Sequence, residues 1–242
     1  MLESISKYNI LFLDIETVSI KKSFNELDVI FKKLWQKKHL TLYRNEEVAF
    51  ESGFEEKAAI YAEFGKIVCI SCGYLTKEEG KEKLRVKSFY GINEKVILTE
   101  FANLLKLNYS DFQNQTLCGH NIKEFDIPYI CRRMLINGVD LPDIINIHGK
   151  KPWEVNFIDT LQLWKFGDYK AYTSLNLLAA LFKIPTPKDD IDGGMVGNVF
   201  WVDDDLERIK IYCQKDVVTS VRLFQKLRNE NFISDANIQI ID

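Results

Sequence analysis

Apolar positions along the chain follow two patterns with different periods. Nearly continuous apolar or β-branched runs, bounded by charged or turn residues, predict buried strands at Asn9–Ile15, Lys66–Tyr74 and Leu84–Tyr90. A charged turn separates the last two, which therefore predict a hairpin. Shorter runs of the same kind predict two further strands, Gln115–Gly119 and Val155–Ile158.

Elsewhere, apolar residues recur at helical spacing with caps at the ends. The predicted helices are Ser23–His39, which opens with a capping box at Ser23 and Glu26, and then Glu46–Glu63, Asn93–Leu107, Phe125–Ile136, Leu175–Phe182 and Asp204–Glu230. A glycine-containing loop is predicted over Pro185–Val202. Strands separated by helices predict an α/β fold in which a mixed central sheet is flanked by helices on both faces.

Composition narrows the class of protein. The 242 residues, of which 46% are hydrophobic, are enough for one globular domain. A formal charge of −3 gives no overall attraction to nucleic acid, so strand binding would depend on local lysines and bound metal.

The odd count of five cysteines favours reduced thiols, and Cys69 and Cys72 are expected in the core. The apolar run Ile10–Leu13 is too short for a signal peptide or a membrane span, so we expect a cytoplasmic protein.

Three acidic segments carry the candidate chemistry. Asp14 and Glu16 follow the first apolar run and, being two apart on a strand, should face the same side. Asp126 should lie near the start of a helix. Tyr212 and Asp216 are four apart in a helical pattern, which places them on one helix face.

Carboxylates in such a group are the ligands that hard divalent cations prefer. Two Mg²⁺ or Mn²⁺ ions, roughly 3.5–4 Å apart, can activate water and stabilise the leaving oxygen in phosphodiester hydrolysis. The three segments therefore predict a two-metal nuclease site.

The order of these segments, their strand and helix contexts and the run Gly119–Pro128 resemble the DEDD superfamily of 3′–5′ exonucleases. Within it the chain is most similar to the tyrosine branch, which includes the proofreading domain of family-B DNA polymerases. The histidine branch would have histidine at the position of Ile211. The resemblance covers about residues 8–228 of a single domain 1–242, with a helical insertion at about 21–64 and a tail at 231–242.

The resemblance implies a ribonuclease H-like fold and assigns the site residues. It implies that two Mg²⁺ or Mn²⁺ ions are held by Asp14, Glu16, Asp126 and Asp216, and that Tyr212 orients the attacking water. Contacts to the substrate strand are implied for Thr17, Val18, Asn121 and Phe125. Arg132 and Arg133, beside the second motif, are candidates for phosphate, whereas His120 is expected to be a hydrogen-bonded loop residue rather than a ligand.

The expected activity is removal of nucleoside 5′-monophosphates from the 3′ end of single-stranded DNA. Exonucleolysis of RNA is an alternative, because this fold also occurs in ribonucleases and the fold alone does not select deoxyribose or ribose. A non-catalytic nucleic-acid-binding or polymerase-associated subunit is the alternative from another class. Association with a DNA polymerase or a repair protein is a further expectation, and no membrane partner is expected.

Overall fold

A six-stranded mixed sheet organises the protein, with strand order β5-β4-β1-β2-β3-β6. The computed structural model describes residues 6–44, 46–111, 113–168, 170, 172–185 and 191–241. β1 pairs antiparallel with β2 and parallel with β4, while β3 pairs antiparallel with β2 and parallel with β6. The strands are β1 Ile10–Ser19, β2 Gly65–Glu78, β3 Lys81–Tyr90, β4 Thr116–Gly119, β5 Ile158–Asp159 and β6 Ile238–Ile240.

Helices lie in the connections between the strands. They are α1 Val29–Leu42, α2 Phe50–Lys57, α3 Glu94–Asn108, α4 Asp126–Asn137, α5 Thr160–Lys165, α6 Leu175–Leu181, α7 Val196–Asn198 and α8 Leu206–Leu227. No helix among the described residues is both long and apolar enough to span a membrane.

The alternation of side chains along β1 divides the core between two faces. Leu11, Leu13 and Ile15 pack with α3 and α4 on one face. Ile10 and Phe12 pack on the other face against Phe224 of α8. Helices therefore cover both faces of the sheet, as predicted.

Most predicted elements are confirmed, and several boundaries were wrong. The hairpin strands are longer than expected, because the turn contracts to Glu79 and Gly80, both with positive φ. The predicted fifth strand is only Ile158–Asp159. Within the predicted loop, α7 is followed by a π-helical turn, Val199–Asp203, because Val196, Val199 and Phe200 bury their side chains. Residues 186–190 of that loop lie outside the described residues.

The segment between β1 and β2 forms its own small core. The capping box does not open α1; Ser23 precedes a short 3-10 turn, and Asp28 caps α1 by accepting from the Phe31 amide at 2.8 Å. Glu46–Glu63 forms only the short α2 and a 3-10 turn, Ala58–Ile60. Trp35 and Phe54 centre an apolar cluster here, so these helices pack mainly on each other.

The segment expected to be a tail adds an edge strand to the sheet. β6 pairs with β3, with Leu84 opposite Ile238. The Arg222 guanidinium of α8 donates to the Ile233 carbonyl at 3.1 Å and to the Asp235 carboxylate. This buried arginine ties the C-terminal segment to α8.

Candidate active site

Asp14 and Glu16 continue the alternation of Ile10 and Phe12 and therefore face α8. Asp14 is partly buried, and Glu16 is 7% exposed. The pairing of β1 with β2 shifts register immediately after Glu16, because Val68 is an extra residue on β2. This irregularity locally interrupts the hydrogen bonds between β1 and β2 directly after Asp14 and Glu16.

The face of α8 opposite these carboxylates carries Tyr212, Cys213 and Asp216. Tyr212 is 7% exposed and packs in an apolar cluster that includes Val68. Cys213 is fully buried, and its thiol lies 3.4 Å from Oδ2 of Asp14. Asp216 is one turn further along and partly buried. The helix therefore presents a phenol, a thiol and a carboxylate to β1.

Asp126 enters the site from the turn between β4 and α4. At Gly119 the chain passes so close to β1 that an added Cβ would lie 2.9 Å from the Leu13 carbonyl oxygen, so only glycine fits without a shift. Asp126 is the first residue of α4 and is 4% exposed. The backbone amides of Asp126 itself and of Ile15 favour the charged form of its carboxylate and lower its pKa. β4 pairs with β1 only over Ile10–Phe12, and Asp126 lies beside the part of β1 that continues past this pairing.

The carboxylates interact strongly with one another. Burial, followed by the charges of Asp216, Glu16 and Asp126, raises the pKa of Asp14 well above its usual range. Burial and then Asp216 likewise raise the pKa of Glu16. Burial raises the pKa of Asp126 to about 7, although the two backbone amides oppose the shift. The predicted ligands are thus gathered into one repulsive cluster.

Tyr212 is held as a neutral phenol. Burial, followed by the charge of Asp216, raises its pKa above the usual range, and a hydrogen bond from its hydroxyl to Asp216 adds to the shift. A phenol of this kind is a hydrogen-bond donor and a poor base near neutral pH.

The predicted substrate contacts have different surroundings. The Thr17 hydroxyl donates to the Ala59 carbonyl at 2.9 Å, which connects the insertion to β1. Val18 is 0% exposed and its side chain packs in the apolar cluster that includes Tyr212, so the predicted contact with a strand would have to use its backbone and stays a prediction. Asn121 is partly exposed with φ 65°, and Phe125 packs partly against Tyr129.

Arg133 is a structural residue, so its assignment as a phosphate candidate was wrong. Its guanidinium donates to both oxygens of Glu94, at 2.8 and 2.6 Å, and to the Ala62 carbonyl at 2.9 Å. Glu94 also accepts from the Ile67 amide of β2. The pair is buried and joins α3 and α4 to the sheet, whereas Arg132 is exposed.

His120 has partners at both ring nitrogens. Nε2 lies 2.8 Å from the Thr173 carbonyl oxygen and Nδ1 lies 3.0 Å from the Thr160 hydroxyl. Since a carbonyl only accepts, Nε2 must carry the proton. Burial lowers the pKa of the ring. His120 is therefore a hydrogen-bonded loop histidine, as expected, and is not free to bind a metal.

The sequence did not single out Asp159 or assign a role at the site to Cys213. Asp159 is 3% exposed beside Asp126, and its negative charge contributes to the raised pKa of Asp126. An aspartate directly after the short apolar run Phe157–Ile158, like Asp14 after its own run, was the available signal. Cys213 has helical core spacing, which gave no hint of its contact with Asp14.

The residues present suit a divalent cation. Ligand atoms of Asp14, Glu16 and Cys213 all lie within 4.8 Å of one another. Across the described part of the chain, no salt bridge neutralises Asp14, Glu16 or Asp126. Buried carboxylates without cationic partners are costly unless they coordinate metal.

The strand order and this acidic cluster define a ribonuclease H-like α/β protein with a candidate divalent-metal site. The family-B DNA polymerase of the archaeon Pyrobaculum calidifontis has the same fold, with a TM-score of 0.56 at 16% identity. The similarity covers 90% of this chain and 24% of the polymerase, so the chain spans about a quarter of that protein.

The chain belongs to the family of predicted 3′–5′ exonucleases related to the exonuclease domain of PolB, whose model matches residues 60–235. The matched region contains Asp126, Tyr212 and Asp216 and begins after β1. No curated protein gave a significant match.

Proposed function

We propose that this protein is a divalent-metal-dependent 3′–5′ exonuclease that releases nucleoside 5′-monophosphates from single-stranded DNA. The observation that carries the proposal is the convergence of Asp14, Glu16, Asp126 and Asp216 on one buried cluster, contributed by β1, α4 and α8. These residues come from distant parts of the sequence. A purely structural role would not require four mutually repelling carboxylates.

Each site residue has a proposed role. Two Mg²⁺ or Mn²⁺ ions would be held by Asp14, one together with Glu16 and Asp216 and the other together with Asp126. When bound, such ions supply an activated water and charge stabilisation at the leaving oxygen. The Tyr212 hydroxyl, which burial and the nearby Asp216 keep neutral by raising its pKa, would orient the attacking water by hydrogen bonding.

The substrate strand is placed by residues around this cluster. Asn121 and Phe125 flank the entry to α4, and Thr17 ends the acidic segment of β1. Arg132 is an exposed cation on α4, six residues after Asp126. Single-stranded ends fit this arrangement because unpaired bases can stack on apolar side chains while the metals and local cations hold the backbone.

A time course tests this function directly. Single-stranded DNA and RNA oligonucleotides, labelled at the 5′ end, are incubated with Mg²⁺, Mn²⁺ or excess chelator. We expect a ladder that shortens from the 3′ end of DNA, loss of cleavage in chelator, and no cleavage by Asp126→Asn. Faster digestion of RNA than of DNA would show that RNA is the preferred substrate. Oligonucleotide binding without cleavage under all conditions would favour a binding subunit instead.

A further inference from the structure

Asp159 lies next to the proposed site without belonging to its carboxylate set. It ends β5, directly opposite Gly119 of β4. The side chain is buried, and within the described residues no salt bridge reaches it. A buried carboxylate beside another one is unfavourable, so other contacts must stabilise it.

Those contacts are four backbone amides. Oδ1 accepts from Asn121 N at 3.0 Å, Leu161 N at 3.0 Å and Gln162 N at 3.3 Å, and Oδ2 accepts from Lys123 N at 3.2 Å. Leu161 and Gln162 belong to the first turn of α5, which Asp159 caps. Asn121 and Lys123 belong to the turn between β4 and α4. One carboxylate thus holds two separate segments together.

The turn that it holds leads directly to Asp126. Asn121 has φ 65°, a conformation that non-glycine residues adopt at a cost. The Asn121 carbonyl accepts from Glu124 N at 3.2 Å and from Phe125 N at 3.0 Å, and Asp126 follows as the first residue of α4. Hydrogen bonds therefore run from Asp159 through the backbone of Asn121 to the residue before Asp126.

We propose that Asp159 is a positioning residue, whose carboxylate fixes the turn Asn121–Lys123 and thereby orients Asn121 and the start of α4 for the reaction. The role rests on the proposed function, in which Asn121 contacts the strand and Asp126 holds metal. Asp159 is not itself a ligand, because its oxygens already accept four N–H groups and a carboxylate offers about four lone-pair sites.

The first test measures how well the turn amides are protected from hydrogen exchange, and it does not require catalysis. Hydrogen exchange of metal-free protein, read by NMR, follows the amides of Asn121 and Lys123 in wild type, Asp159→Ala and Asp159→Asn. The matched control is Asp28→Ala, which removes the cap of α1 far from the site. We expect exchange at both amides to accelerate at least about tenfold in Asp159→Ala. Unchanged exchange in the turn would overturn the proposal.

The second test measures single-turnover cleavage. Asp159→Ala should slow cleavage about 10-fold to 100-fold, because small misplacement of catalytic groups costs up to this much. Asp159→Asn should recover part of the rate, since its amide oxygen can still accept three of the four N–H groups. Asp28→Ala should cleave normally. If Asp159→Ala does not fold, the comparison of Asp159→Asn with wild type replaces it.

A double-mutant cycle with Asn121→Ala tests whether Asp159 affects the cleavage rate through Asn121. If Asp159 acts by orienting the Asn121 side chain, the double variant should be no slower than the slower single variant. Multiplying losses would mean that Asp159 acts through the start of α4 rather than through the Asn121 side chain. Loss of a metal site on titration of Asp159→Asn would overturn the proposal, because Asp159 would then be a ligand. If wild type does not cleave at all, the proposed function fails, while hydrogen exchange still decides whether Asp159 holds the turn.

Discussion

The Cys213 thiol donates a hydrogen bond to the Asp14 carboxylate, with Sγ 3.4 Å from Oδ2 and 3.4 Å from the Asp14 carbonyl oxygen. This contact connects α8 to the residue proposed to be shared between two ions. It also places a soft sulfur atom beside the proposed oxygen ligands, so we expect the site to respond differently to soft and hard metals.

Soft metals should therefore inhibit through Cys213. We expect Cd²⁺ to inhibit Mg²⁺-dependent cleavage of wild type at concentrations about 10-fold below those needed for Cys213→Ser, because the serine hydroxyl can still donate to Asp14 but binds Cd²⁺ poorly. Cys131→Ser, which changes a thiol that donates to the Ile145 carbonyl, is the control. Equal Cd²⁺ sensitivity of all three proteins would show that the thiol is not a ligand.

Asp126→Asn should separate stability from turnover. The substitution removes one charge from the repulsive cluster and so should raise the free energy of unfolding of metal-free protein by about 1 kcal/mol, while abolishing cleavage. Chemical denaturation in chelator and single-turnover assays in Mn²⁺ measure the two effects. A destabilised variant would mean that the amide contacts of Asp126 outweigh the repulsion.

Metal-free protein should lose stability as pH rises. The folded-state pKa values of Asp14, Glu16 and Asp126 lie above their ordinary values, with Asp126 at about 7. The folded state therefore binds more protons than the unfolded state, and its stability falls as pH rises through about 7. Thermal unfolding in chelator should show a lower melting temperature at pH 8 than at pH 6. Saturating Mn²⁺ should stabilise more at pH 8; the opposite trend would contradict the cluster's electrostatics.

Tyr212→Phe should slow cleavage without loss of metal. The change removes one hydroxyl and keeps the ring in its apolar cluster, so single-turnover cleavage should fall about 100-fold or less, well short of the loss in Asp14→Asn. Metal titration of the variant should match wild type. An unchanged rate would make Tyr212 a packing residue, and weakened metal binding would mean that Asp216 had moved.

The two neighbouring arginines should differ in effect. Arg133→Gln leaves Glu94 buried without its partner and should destabilise the fold by about 3–5 kcal/mol. Arg132→Gln should leave stability unchanged and weaken oligonucleotide binding at low salt. Denaturation curves and binding measured by fluorescence anisotropy distinguish these outcomes, and a stable Arg133→Gln would show that the buried pair is dispensable.

The local sequence determined those parts of the site that lie within a single strand or helix, because the side-chain repeat of that element fixes which residues share a face. Side-chain alternation on β1 puts Asp14 and Glu16 on one face, and helical spacing puts Tyr212 and Asp216 on one face, whatever packs against them. Motif order then indicated the family, and alternating strands and helices indicated the layers of the fold.

Tertiary structure decided which of these faces meet and which polar residues are buried. The adjacent Arg132 and Arg133 look alike in sequence, yet only one points at Glu94, and Val18 is buried because β2 and the π-helical turn cover it. Asp159 contacts Asn121, 38 residues earlier in the chain, and Cys213 contacts Asp14, 199 residues earlier. The physical reason is that sequence periodicity fixes directions within one element, whereas contacts between distant elements exist only once the sheet order and the helix docking are set.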